Sequence, residues 1–281
     1  GICELKHKSL PALRSIAVTT NGFLTDAVVS TVENILPTFQ KKGLDLVVVC
    51  ALDAVGALHN RIRNYPDAWP KVSKTLAELA LLRNRHPNLI VGLKTTILPL
   101  NIDELHKISK FAAAGGFFTI ISPCIITEGR YLNPNRAKDL YFRPEDVRKM
   151  IEYFSNDQLR WRFHAAALVD FYKTGTMKKP CSCGFNYFFV RSNGEIFLCP
   201  LIGESVGNIT TTGVSELFYS NKAGCIRKKI GKMPQCRECT EPGLERYSLP
   251  CEGLHYLRLL LKMRREDFFR LHEHMGLDKY L

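Results

Sequence analysis

The nine residues Leu44-Asp45-Leu46-Val47-Val48-Val49-Cys50-Ala51-Leu52 constrain the fold more than any other stretch. An apolar run of strand length without alternation has no face to offer to water. It belongs to a strand covered on both sides. Such strands sit inside parallel sheets, joined by helical crossovers. The flanking sequence keeps that rhythm. Residues 14–20 read as a strand ending in Thr19-Thr20-Asn21-Gly22, and residues 24–42 as a helix kinked or broken at Pro37. Residues 66–86 read as a helix opening beside Pro66 and Asp67, and residues 89–98 as a strand. Residues 101–114 read as a helix stopped by Gly115-Gly116, and residues 117–124 as a fourth strand. This β-α-β-α-β-α-β order predicts an α/β fold, either an open doubly wound sheet or part of a (β/α) barrel. In both, functional groups gather at the carboxyl ends of the strands. Here those ends are Thr19-Thr20-Asn21-Gly22, Leu52-Asp53, Thr96-Ile97-Leu98 and Pro123-Cys124-Ile125.

A polar loop over 126–143 and two helices, 144–155 and 158–174, follow. His164 lies on an apolar helix face, the usual place of a core histidine. At Gly175 the texture changes to short elements. Ser192-Asn193-Gly194 between two apolar runs, residues 185–191 and 195–199, signals a hairpin. Leu254 to Met275 reads as one long amphipathic helix, with His272 and His274 on its surface. The expected parts are therefore residues 1–176, 177–253 and 254–281.

With 46% hydrophobic and 23% charged residues over 281 positions, the chain can bury a sizeable core and is not a disordered polymer. No apolar run reaches the ~18 residues of a membrane span. No secretion signal opens the chain, so a cytoplasmic protein without a membrane partner is expected. The net charge of +12 is spread over both halves rather than gathered in a tail. Lys222, Arg227, Lys228, Lys229 and Lys232 read as a solvated helix face, with contact to an acidic peptide or a nucleic acid as the sharper alternative.

Ten cysteines carry the chemistry. Cys3, Cys50 and Cys124 are scattered in apolar segments and read as small buried hydrophobes. The other seven crowd between Cys181 and Cys251. In a reducing compartment such clusters hold metal more often than disulfides. Cys236-Arg237-Glu238-Cys239 is a CxxC knuckle, whose two thiolates can bind one centre from a tight turn. Cys183 and Cys199 flank the hairpin, which brings its ends together. The two pairs supply four thiolates, enough for Zn²⁺ or a cubane iron–sulfur cluster. Cys181 can replace Cys183, and Cys225 and Cys251 are further reserves.

These motifs, in this order, resemble the radical S-adenosylmethionine (SAM) enzymes with a SPASM or twitch extension. Residues 16–22, ending Thr20-Asn21-Gly22, resemble the family's third strand. Residues 47–53 with His59-Asn60-Arg61-Ile62-Arg63 resemble the fourth strand and the segment after it. Leu93-Lys94-Thr95-Thr96-Ile97-Leu98-Pro99 resembles the fifth, and residues 117–125 stand where the sixth belongs. Cys183, ten residues, Gly194, four residues and Cys199 resemble the opening of the extension, as do Gly207-Asn208-Ile209 and Cys236-x-x-Cys239.

The resemblance implies a partial TIM-like (β/α) barrel, with the family's first two βα units absent, followed by a small cysteine-rich α+β extension. It implies a [4Fe–4S] cluster and SAM as cofactors, and a 5′-deoxyadenosyl radical that abstracts hydrogen from a peptide, protein or small molecule. An electron donor such as a flavodoxin or ferredoxin is the implied partner, and nucleic acid is not. Carried over by position, Thr20 would touch SAM, Asp53 would sit near its ribose, Lys94 would reach its carboxylate or a substrate, and the backbone near Cys124 and Ile125 would border the adenine. The polar residue the family often has before Asp53 is Ala51 here. Cys183, Cys199, Cys236 and Cys239, with Cys181 in reserve, would hold one auxiliary cluster. Position 245 is Glu, which argues against a second.

Two departures weigh on that expectation. The family's Cys-x-x-x-Cys-x-x-Cys and Gly-Gly-Glu segments do not occur in the 281 residues. The chain therefore reads as a fragment of such an enzyme, inactive alone, or as a degenerate, non-catalytic homologue. The other alternative is a zinc-ribbon nucleic-acid-binding module on an α/β scaffold.

Overall fold

A computed structural model of the chain describes residues 13–156, 163–178, 181–185, 187–241, 257–258 and 260–271. They pack as two compact units, one within Gly1–Ile121 and Met263–Leu281, the other within Ser122–Lys262.

The first unit is built on β1 (Ser15–Thr20), β2 (Asp45–Ala51), β3 (Leu89–Ile97) and β4 (Phe118–Pro123), side by side in chain order. The strands run parallel, with Val18 opposite Val48 and Val48 opposite Val91. The continuous apolar run is the buried strand β2 that its composition required. Its even-numbered residues Leu46, Val48, Cys50 and Leu52 pack under α1 (Thr25–Lys41) and α3 (Ala68–Arg85). The helices meet them with Val32, Leu36 and Phe39, and with Val72, Leu76, Leu79 and Leu82. That is the i, i+3, i+4, i+7 spacing of one helical face. The next helix, α4 (Leu105–Ala114), adds Ala112 to the same cluster. Consecutive strand order with α1, α3 and α4 on one face differs from a doubly wound sheet, whose order reverses.

The opposite face carries a smaller cluster of Val47, Val49, Ile90 and Phe118. Gly92 on that face has no side chain because the Phe118 ring occupies the place of its Cβ. Replacing Gly92 by alanine is expected to cost about 1–3 kcal/mol in urea unfolding. The loss should shrink in a Phe118→Ala background. Strict additivity of the two losses would mean that the ring yields freely and the contact constrains nothing.

Three elements depart from expectation. Helix α1 runs through Pro37. The lost N–H costs about 3 kcal/mol, and burial of Leu36 and Phe39 on either side returns about 1.5–3 kcal/mol each. A seven-residue helix α2 (Ala57–Arg63) precedes α3, closed by Asn64 in the left-handed conformation. The C-terminal helix is interrupted at Met263 and Arg264, and a new helix begins at Arg265. Glu266 and Asp267 in its first turn favour a helix start there.

The second unit contains helices α5 (Pro144–Phe154) and α6 (Phe163–Thr174), which pack on each other. It also holds a three-stranded antiparallel sheet of β5 (Phe189–Val190), β6 (Glu195–Phe197) and β7 (Gly207–Asn208). The hairpin turn falls at Ser192-Asn193-Gly194, with Gly194 at φ +87°. Its first strand is shorter than the apolar run suggested, since Phe185 is exposed and only Phe189 and Val190 pair. Two short helices follow, α7 (Val214–Phe218) and α8 (Asn221–Lys229). Among the described residues no helix is long and apolar enough to cross a membrane.

Candidate metal centre

At the carboxyl ends of β2 and β3 a polar network closes on Asp53. Its carboxylate pairs with Arg63 (2.7 Å) and accepts the Thr96 N–H (3.0 Å). Its own N–H donates to His59 Nδ1 (3.2 Å), and Asn101 Nδ2 donates to its carbonyl (2.8 Å). Thr95 Oγ1 donates to the Leu52 carbonyl (2.6 Å). Burial raises the Asp53 carboxyl above the usual range, against the pull of Arg63, the Thr96 N–H and Lys94. Lys94 shares the strand face of Ala51, its partner in register. Thr20 Oγ1 accepts the Gly22 N–H (3.1 Å), a strand-end turn. Asp53 and Lys94 thus come together, while Thr20 is engaged in its own turn. Ile125 lies in the second unit.

His59 is fully buried, and burial, with Arg63 nearby, lowers its pKa from 6.5 to about 4. A base depressed in the fold adds stability above its unfolded pKa and loses it as pH falls through the folded value. Urea stability should therefore drop by about 3 kcal/mol between pH 6.5 and pH 4. Asp53, shifted upward, acts with the opposite sign just above pH 3.8 and softens the acid end. In His59→Gln the drop should largely vanish. An unchanged acid limb would place the sensitive group elsewhere.

The second unit gathers the cysteines. Cys181, Cys199, Cys236 and Cys239 line one cavity, together with Met177, Ile230, Gly231, Met233 and Arg237. The hairpin delivers Cys199 at the end of β6. A 3-10 turn, Pro234–Glu238, delivers the CxxC knuckle. Cys183 lies outside the cavity wall and is fully buried, its thiol hydrogen-bonded with Cys181 and Cys199. Those bonds, with burial, hold the Cys183 thiol far above its ordinary pKa. The Cys199 thiol is lowered by Cys183 and by the N–H groups of Leu201 and Ile202.

Among the described residues, no three His, Cys, Asp or Glu side chains close on a single-ion site. Thiolates lining one cavity suit tetrahedral zinc or an iron–sulfur cluster. The donor set fits an iron–sulfur group in number, softness and hydrogen-bonding.

A loop that the sequence did not flag buttresses this cavity. Gly129 lies so close to the Ile202 and Pro200 carbonyls that a Cβ would collide with them. The Arg130 N–H donates to the Pro200 carbonyl (3.0 Å), and its guanidinium pairs with buried Glu241 at 3.4 Å. Arg191 donates to the carbonyls of Glu128 and Gly129. The partners are 62 to 111 residues apart in sequence, so no local signal marks them.

The remaining candidates fall outside the cavity. Burial pushes Cys50 up to about 12 and Cys124 up to about 11, which keeps both as thiols. Cys225 is exposed and His164 is buried. Cys3, Cys251, His272 and His274 lie outside the described residues. Lys222, Lys228, Lys229 and Lys232 are exposed. Arg227 instead lies over the Phe218 ring (4.3 Å) and donates to the Gly184 and Phe218 carbonyls.

No curated protein matches the chain. Residues 181–240 match the family model of SPASM, an iron–sulfur cluster-binding domain, and the match spans the five cysteines just described from first to last.

Proposed function

We propose that the chain is part of a radical SAM-type enzyme, with one auxiliary [4Fe–4S] cluster held by the cysteines of residues 177–253. The convergence of four thiols on one cavity, inside the segment that matches an iron–sulfur cluster-binding domain, carries this reading. SAM with its own cluster supplies a carbon-centred radical that abstracts hydrogen from a peptide, protein or small-molecule substrate. The ligands of that second cluster are not among these residues, because no Cys-x-x-x-Cys-x-x-Cys occurs.

A partial (β/α) barrel in the first unit is supported by the consecutive parallel order and by α1, α3 and α4 on one face. Among the described residues, β1 pairs on one side only, and Val18 is 49% exposed on the helix side where Val48 is buried. A preceding βα unit would cover it. In this reading Asp53 does not touch the ribose through a spare oxygen. It positions Arg63 and the end of β3. Lys94, on the inner strand face, is the side chain that reaches for a carboxylate. The four cysteines hold their cluster closed, which suits electron relay from a flavodoxin or ferredoxin.

The test is metal content. The chain purified without oxygen is expected to carry about four iron and four sulfide. One zinc and no sulfide would overturn the reading in favour of a zinc-ribbon module.

A further inference from the structure

We propose that the loop of residues 127–133 is a clasp for the metal centre and that Arg130 is its positioning residue, holding the Cys199 segment through its backbone and the Cys239 segment through its side chain. This rests on the cluster reading above, and all of these residues belong to the second unit. Cys199 and Cys239 stand 40 residues apart in sequence, and both line the cavity. Arg130 meets both stretches. Its N–H donates to the carbonyl of Pro200, the residue after Cys199 (3.0 Å). Its guanidinium pairs with Glu241, two residues after Cys239 (3.4 Å). Cys239, Thr240 and Glu241 are all buried, so this pair anchors the stretch that leaves the knuckle. A buried carboxylate is strongly disfavoured without its cation, which ties the place of Glu241 to that of Arg130. On the other side of Cys239, the Met177 N–H donates to the Arg237 carbonyl (2.7 Å).

The loop is closed on itself before it grips anything. Thr127 Oγ1 accepts the Tyr131 N–H (2.7 Å), and the Thr127 N–H donates to Asn133 Oδ1 (2.9 Å). Asn133 Nδ2 donates onward to the Ile125 carbonyl (3.1 Å). Leu132 is held at φ +53°, a strained conformation for a residue with a side chain. Such strain persists only where the surroundings fix it. Gly129 seats the loop on the carbonyls of Pro200 and Ile202, where a Cβ would collide. Arg191 reaches over from the hairpin to the Glu128 carbonyl (3.1 Å) and the Gly129 carbonyl. The Arg130 guanidinium lies over the Tyr131 ring (5.2 Å), which steadies it in its place beside Glu241. One rigid loop therefore fixes two ligand-bearing segments against each other. Outer groups that hold ligands in place commonly change metal affinity by about 10- to 100-fold when removed.

The experiment compares the wild-type chain with Arg130→Ala, Arg130→Lys, Gly129→Ala, Glu241→Gln and the Arg130→Ala, Glu241→Gln double variant, reconstituted anaerobically with ferrous iron and sulfide. Iron loss to excess EDTA is followed by the visible absorption of the cluster, and the reduced state by electron paramagnetic resonance. Arg130→Ala should lose iron about tenfold faster than the wild type and show a shifted spectrum. Gly129→Ala should also lose it faster, since it lifts the clasp from the Cys199 side while leaving the ion pair its partners. Arg130→Lys keeps the N–H and the charge, so it should return to within about threefold of the wild-type rate, with the wild-type spectrum. Glu241→Gln should hasten the loss, and adding it to Arg130→Ala should hasten it no further, because the two residues share one contact. A wild-type rate and spectrum in Arg130→Ala, no rescue by lysine, or multiplied effects in the double variant overturns the clasp and leaves the cluster reading standing. A wild-type chain with zinc and no sulfide overturns the cluster reading itself, and this inference with it.

Discussion

Asp53→Ala is expected to lower the stability of the sheet unit by about 3 kcal/mol, measured by urea unfolding at neutral pH. Two groups lose their partner at once, and a turn loses its anchor. The Thr96 N–H loses its acceptor (3.0 Å), the Arg63 guanidinium loses its carboxylate (2.7 Å), and the turn that aims Asp53 N–H at His59 loses its anchor. The Arg63 side chain is 29% exposed, so water softens the charge penalty and keeps the estimate below the upper end for buried pairs. Asp53→Asn separates the contributions, because an amide oxygen can still accept from Thr96 while the charge is gone. It should cost less than the alanine. A loss under about 0.5 kcal/mol for Asp53→Ala would mean that the network is solvated and does not organise the strand ends.

That network also shows where sequence reading stops. The run from Leu44 to Leu52 announces a buried strand by chemistry alone, because nine residues without a polar face leave no other solution. The helices over it follow from their spacing, and Asn193-Gly194 marks the hairpin by the backbone it permits. The short helix Ala57–Arg63 escapes, since seven residues give less than two full turns of pattern. The two-residue strand Gly207–Asn208 escapes for the same reason, and it is held by pairing with Glu195 and Ile196 rather than by its own preference. That the cysteine pairs approach one another was legible, because CxxC and a hairpin both imply proximity. Which of Cys181 and Cys183 faces the cavity was not legible. The cavity wall is assembled from residues 177–239 by packing across the chain. Arg130 and Glu241 meet across 111 residues, and only the fold brings them together.

The Cys236→Ala, Cys239→Ala double variant is expected to lose the cluster completely and to destabilise the hairpin region by at least about 3 kcal/mol, as loss of a ligand present at ~100 times its dissociation constant would. The reason lies in how little else holds that region. Its strands are two, three and two residues long, and its apolar cluster includes three of the cysteines themselves, Cys183, Cys199 and Cys239. Small cores of this kind depend on metal for folding energy, and binding free energy then becomes folding free energy. The β1–β4 sheet draws on a separate and larger cluster. Hydrogen exchange read segment by segment separates the two. Amides of Glu195–Phe197 and of α8 should lose protection in the variant, and those of β2 and β3 should keep it. Unchanged protection at Glu195–Phe197 would show that the short strands stand on packing alone, and that the cluster is carried by this region rather than built into it.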